Sequence, residues 1–355
     1  DQEGNLWVGS NEGLIRLTPR RFFTYNKQQG LSHNNTVSVL EAANGSIWTG
    51  TYGGGLNCLR DGQALAYGKT NGLSADFILG LCQGRDGSLW VGTEGSGGLY
   101  QFKDGRFRHY TTADGLPGAA IRVVYEDRAG QLWLGTPGGL CRFRPGPART
   151  YSIKDHLAGN EVRALCQDRF GALWVGTDQG LSRLENGRFV NFTTREGLSD
   201  NSITALHADG QGMLWVGTAN GGLDWMAVGP EAPVGTRGAA PQAPRICSCN
   251  SQQGLYSDEL LSVLEDDYGW LWMSCPKGVF RVARKDLEAL AAGRVQAVTS
   301  IVYGKSDGMA GTLCNGVAQP SGWKGHDGRL WFATTKGLVV VDPHIGINAK
   351  PPSVF

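Results

Sequence analysis

Surplus charge is what this sequence most clearly lacks: 33 Lys and Arg stand against 32 Asp and Glu, a formal net charge of +1 over 355 residues. So balanced a chain offers no whole-molecule field to recruit nucleic acid or an anionic membrane surface, and neither is expected as a partner. No stretch approaches the roughly 18 consecutive apolar residues of a membrane span. Asp1 opens inside a motif with no basic and apolar leader before it, so the chain reads as material cut from something longer. None of the eight cysteines forms a CxxC pair, which removes the usual structural zinc signature and leaves the redox compartment undetermined by cysteine usage. Also missing are a G-x-S-x-G elbow, an H-E-x-x-H pair and a phosphate-binding loop. The six histidines, His33, His109, His156, His207, His326 and His344, fall at mostly unlike positions. Nothing therefore assembles a general base, an acid and a metal, and the chain is expected to be no enzyme, with no cofactor and no metal.

Glycine is plentiful instead, at 54 residues, about twice its average share, and demands many turns. A repeat accounts for them. An apolar residue followed by Trp, with a Gly three residues before the Trp, recurs at Trp7, Trp48, Trp90, Trp133, Trp174, Trp215, Trp272 and Trp331. The successive spacings are 41, 42, 43, 41, 41, 57 and 59 residues, so the last two copies carry insertions. Within the copy around Trp215, four short apolar segments bounded by turn residues lie at 189–192, 202–207, 213–217 and 222–226. Each is strand-length and rich in β-branched or aromatic residues. Four strands per unit of some forty residues, repeated round a ring, predict an all-β β-propeller of four-stranded blades. Asp-x-x-Gly turns at 127–130, 168–171, 209–212 and 266–269 join the first strand of a blade to the one carrying the Trp, with Asp capping and Gly supplying positive φ.

With strands named a to d from the axis outward, residues 22–25 supply a d strand. The last copy gives a (about 317–323), b (330–334) and c (337–341) but no d. Seven blades are expected, closed by that N-terminal outer strand, with residues 1–18 the end of a preceding repeat; an eighth, partial blade is the alternative. The propeller then spans 19–343, and 344–355 is a linker. The eight Trp residues, being common to every copy, are packing residues that fill the wedges between blades.

The recurrent G-x-L-W-x-G-T-x-x-G-L, with the Gly-Leu-Ser stretches at 30–35, 72–74 and 197–201, resembles the two-component regulator propeller repeats of bacterial sensor proteins. The resemblance implies the extracytoplasmic, periplasmic sensing region of a membrane-anchored signalling receptor, and Pro351-Pro352 looks like the approach to the immunoglobulin-like domain that follows in the family. It also implies a small-molecule or oligosaccharide ligand, some relatives answering to glycan breakdown products. A protein–protein interaction scaffold, and a propeller lyase or hydrolase, are the alternatives.

A ligand site belongs where copies differ, on the face carrying the b-to-c and d-to-a loops. The departures there are Tyr52, Phe77, His156, Tyr256, Lys277 and Asn315: aromatic rings suit sugar faces, while Asn and Lys bond hydroxyls or acids. The insertions put residues 227–246, rich in Pro and Gly, and a short helix at 284–293 on one side of the ring. That side is expected to dock the immunoglobulin-like module or a second protomer, with no direct membrane contact. Cys58, Cys82, Cys141 and Cys166, on equivalent strands of different blades, are expected as buried thiols too far apart to bridge. Cys247 and Cys249, two apart, would share a face of one strand.

Overall fold

The computed structural model describes residues 6–11, 13–17, 21–95, 97–144, 146, 148–229 and 245–344. The Trp7 side chain, residues 230–244 of the long insertion and residues 345–355 of the expected linker lie outside the described residues. Seven four-stranded antiparallel sheets are arranged as the blades of a propeller, and in blades 1 to 6 the strand that comes first in sequence is innermost. Blade 1 comprises Thr36–Glu41, Ile47–Thr51, Leu56–Arg60 and Gln63–Tyr67; blade 2, Ile78–Gln83, Leu89–Thr93, Leu99–Lys103 and Arg106–Tyr110; blade 3, Val123–Glu126, Leu132–Thr136, Gly139–Phe143 and Arg149–Tyr151. Blade 4 holds Val162–Gln167, Leu173–Thr177, Gly180–Glu185 and Arg188–Phe192; blade 5, Ile203–Ala208, Met213–Thr218, Leu223–Ala227 and Ile246–Cys249; blade 6, Ser262–Glu265, Trp270–Cys275, Gly278–Ala283 and Ile301–Tyr303. Blade 7 takes Gly322–Lys324, Leu330–Thr334 and Gly337–Val341 from the end of the chain and Phe22–Tyr25 from its beginning, paired Phe22 to Val341 and Tyr25 to Leu338. The ring is thus seven-bladed and closed by the N-terminal outer strand. Leu6–Ser10 and Gly13–Leu17 form a separate two-stranded sheet.

Each wedge between neighbouring blades is filled around one repeat Trp. Trp215 of blade 5 lies among Leu260, Val263, Leu271 and Phe280 of blade 6 and its approach, and Trp331 of blade 7 lies against Leu31, Val39, Ile47 and Leu59 of blade 1. Six of the seven indoles in the ring are buried and Trp90 is half-buried. The Asp-x-x-Gly turns do more than set hairpin register. Asp127, Asp168, Asp209 and Asp266 each accept turn amides on one carboxylate oxygen and the indole N–H of Trp133, Trp174, Trp215 or Trp272 on the other, at 2.7–3.2 Å. One side chain therefore satisfies both the turn and the indole N–H of the wedge.

The insertion after blade 6's third strand is the helix α1, Arg284–Ala291, followed by Gly293 at φ +69°. Its first residue, Arg284, is buried and pairs with Asp209 (2.9 Å), Glu265 (2.8 Å) and Glu288 (3.0 Å), pinning the helix to blades 5 and 6. All eight cysteines are free thiols. Cys247 and Cys249 do share a face of blade 5's outer strand, packed in the wedge toward blade 6. Among the described residues no helix is long and apolar enough to cross a membrane, and no group of three or more His, Cys, Asp or Glu could hold a metal ion.

The sequence places blade 7's inner strand at about 317–323; the ladder there is only Gly322–Lys324. Pro320 has no N–H to donate and cannot extend an inner strand. The preceding segment instead crosses the central channel. The Gln319 side chain reaches blade 4, where its carbonyl accepts from the Leu165 N–H (2.6 Å) and its amide donates to the Leu165 carbonyl (2.8 Å). Its neighbour Pro320 accepts from the Val39 N–H of blade 1 at 2.8 Å, and Ala318 packs on Val37 and Leu79. The channel is stoppered by its own chain.

Candidate functional site

Above the stopper lies a cup of about 590 Å³ to which all seven blades contribute: Asn35, Val37 and Tyr52 from blade 1, Leu79 and Glu94 from blade 2, Arg122 from blade 3, Glu161 and Arg163 from blade 4, Thr204 and Ala219 from blade 5, Glu259, Leu261 and Pro276 from blade 6, and residues 313–317 leading into blade 7. The reason these positions meet is local. In blades 1, 4 and 5 the pairing of the inner strand slips by one residue at Val37, Arg163 and Thr204, and in blade 2 it slips across Leu79 and Gly80. A bulge turns the side chain it leaves unpaired out of the pleat, here toward the axis. The bulge residues and their counterparts Arg122 and Leu261 all stand eleven residues before the Trp of their blade; Asn35, Glu161 and Glu259 stand thirteen before it, and Tyr52, Glu94, Ala219 and Pro276 four after it.

The lining is lopsided. Blades 2 to 4 supply charge. Glu161 is clasped by Arg122 on one oxygen and by Arg163 (3.3 Å) on the other, and Arg163 also donates to Ser202 Oγ at 2.8 Å. Burial pushes the Glu161 carboxyl up, but the two guanidiniums outweigh it and hold it below the usual glutamate range. The neighbouring Glu94 carboxylate raises the Tyr52 phenol above its ordinary value, with a small addition from burial. Blades 7 and 1 present apolar surface instead. Tyr52 packs on Phe77 with ring centroids 4.5 Å apart, and Tyr52, Phe77, Leu313 and Val317 are 39%, 42%, 49% and 59% exposed.

Of the residues singled out from sequence, Tyr52 and Asn315 line the cup, and Phe77 stands at its rim against Tyr52. Asn315 donates to Asn35 Oδ1 (2.8 Å) and to the Thr36 carbonyl, fastening the stopper to blade 1. Lys277 is exposed on the loop where its neighbour Pro276 faces the cup. Tyr256 packs edge-on against Phe280, 5.5 Å between centroids, within the wedge between blades 5 and 6. His156, at φ +68°, closes a one-turn 3-10 helix at the position where the other blades carry Gly30, Gly72, Gly115, Gly254 and Gly308. Glu94, Arg122, Glu161, Arg163 and Glu259 were not singled out; variation at fixed distances from the Trp marks them, once the bulge shows which distances face the axis.

On the opposite face a smaller basin of about 350 Å³, lined by Leu40, Cys82, Tyr125, Pro320, Trp323 and His326 among others, lies beneath the stopper.

Residues 72–95, 115–138, 156–179 and 197–220 match the two component regulator propeller family. No curated protein matches the chain. Among solved structures, it is similar to the extracellular domain of a hybrid two component system from B. thetaiotaomicron, with a TM-score of 0.76 and 23% identity over 98% of this chain and 45% of that one. The extracellular domain of a one component system from the same organism gives a TM-score of 0.66 and 20% identity over 96% of this chain and 44% of that one. A virginiamycin B lyase from Staphylococcus aureus gives 0.64 and 14% over 90% and 97%. At such identities the likeness is one of fold, and the chain spans less than half the length of the two extracellular domains. The matched repeats lie on the same Trp-centred period that builds every blade of the ring, and four of the chain's repeats are thus of the two component regulator propeller type.

Proposed function

We propose that this propeller is the ligand-sensing part of a membrane-anchored bacterial signalling receptor, facing the periplasm, and that the seven-blade cup is where it reads a small molecule without transforming it. The observation that carries this is the contrast between a wedge chemistry repeated from blade to blade and a cup whose lining differs in every blade. Its central carboxylate, Glu161, is held ionised between two guanidiniums, which makes it a poor proton acceptor at neutral pH and supports a binding rather than a catalytic role. The match of four repeats to the two component regulator propeller model supports the sensory assignment. The side bearing α1 and blade 5's last strand is then the surface that meets the next domain or a second protomer. The exposed apolar arc of Tyr52, Phe77, Leu313 and Val317 favours, as a second reading, a scaffold that binds a protein partner.

The test is a thermal-shift screen of the chain against mono- and oligosaccharides and other small metabolites, repeated on an Arg163→Gln variant. A ligand at about one hundred times its Kd adds about 2.7 kcal/mol. A stabilising compound whose effect is lost in the variant is the expected result. Hits that ignore the variant, or turnover of a hit, would defeat the proposal.

A further inference from the structure

The charged arc of the cup does not neutralise itself locally, and its imbalance specifies a ligand. Arg122 and Arg163 share the single carboxylate of Glu161, so this trio carries a net positive charge, and neither guanidinium has another carboxylate within 4 Å among the described residues. All three side chains are about 30% exposed, leaving donor atoms open to the cup. On the neighbouring blade, Glu94 lies beside a neutral phenol, that of Tyr52, and neither it nor Glu259 has a cationic partner within 4 Å among the described residues. Around the ring the order is therefore an exposed aromatic pair, a carboxylate without a cation, two guanidiniums with one carboxylate between them, and, past the small residues of blade 5, a second unpaired carboxylate. A purely anionic ligand would meet the guanidiniums but face Glu94 and Glu259; a purely cationic one would face the reverse. A molecule carrying both charges a few bonds apart satisfies both.

We propose that the cup recognises a small zwitterionic ligand, its anionic group on Arg122 and Arg163, its protonated amine on Glu94, and its apolar part against Tyr52 and Phe77. This rests on the cup being the sensing site and names the class of molecule sensed there. The bulges at Arg163 and, by equivalent position, Arg122 are the devices that deliver the anion-binding half, while the residue four after the Trp of blade 2 delivers the amine-binding half. Free dipeptides and amino sugars with an acid group share this chemistry, and the experiment separates them.

Calorimetric titration of the chain would use phenylalanyl-alanine, its N-acetylated and C-amidated forms, muramic acid, N-acetylmuramic acid, and maltose and cellobiose as uncharged controls. Binding by one free zwitterion, dipeptide or amino sugar, weakened at least about tenfold when either charge is blocked, is expected. Glu94→Gln should weaken the free form by about tenfold yet leave the N-acetylated form unchanged, and Arg163→Gln should do the same with respect to the C-amidated dipeptide. A variant that merely damaged the fold would weaken all forms equally. Blocked forms binding as well as free ones would overturn the proposal. Binding of the neutral disaccharides alone would overturn it while leaving the cup as a sensing site. Binding of none of these would also overturn it, and the wider screen then decides the fate of the cup itself.

Discussion

Asp209 shows how much one side chain settles. Its carboxylate takes the Gln211 and Met213 amides on one oxygen and the Trp215 indole (3.2 Å) and Arg284 (2.9 Å) on the other. Burial pushes its pKa up, but the amides, the indole and the guanidinium outweigh that and leave it below the ordinary aspartate value. Its contribution to stability is therefore fully present above the unfolded pKa of about 3.9 and is lost as pH falls through the lower folded value. Asp209→Asn keeps one acceptor oxygen but turns an amide NH2 toward the Trp215 indole and Arg284, which retains Glu265 and Glu288, and should cost about 1–3 kcal/mol at pH 7. In denaturant melts the gap between wild type and variant should close as the pH drops below about 4; a gap independent of pH would refute the assignment. From sequence, Asp209 was legible as a turn cap, because the Asp-x-x-Gly spacing is local. Its bond to the indole was not, since that depends on how the hairpin folds over its own Trp. His156 is the converse case: its departure from the repeat looked like recognition chemistry, whereas it occupies a left-handed turn that histidine tolerates better than most residues.

At the scale of elements, strands were readable from four short apolar segments per period, but two departures from regularity were not. Bulges at Val37, Arg163 and Thr204 leave no compositional mark, and without them the residues facing the axis cannot be told from those facing a neighbouring blade. The stopper was hidden for a different reason: the run from Val317 to Trp323 has the apolar content of a strand, and only the missing N–H of Pro320 argues otherwise. Gln319 bonds a blade on the far side of the channel, so Gln319→Ala should leave both the N–H and the carbonyl of buried Leu165 without partners at a cost of about 1–3 kcal/mol. Urea melts should register that loss, and hydrogen exchange at the Leu165 amide should speed up well beyond that at the Val175 amide of the same blade. Equal effects at the two amides would mean that the stopper does not brace blade 4.

For the whole molecule, the count of seven followed from asking which strand the last copy lacks and where a spare one lies, and blade 7 answers it with Phe22–Tyr25. Closure depends on one face of that strand. Phe22 is 1% exposed and packs on Tyr303 of blade 6, while Phe23 is 46% exposed. Phe22→Ala should thus cost about 3–5 kcal/mol and Phe23→Ala within about 0.5 kcal/mol of nothing, as read from denaturation midpoints; similar costs for the two would show that the strand does not lock the ring.

Because Phe22 is paired with Val341, the chain arrives at and departs from blade 7 at the same end of one ladder. A pull applied to both ends would load the Phe22–Val341 rung first and part the remaining rungs in succession, like a zip, whereas strands tugged from opposite ends would bear the load together. Blade 7 is in this sense the ring's mechanical fuse, the place where tension between whatever flanks the propeller would be felt before any other blade yields.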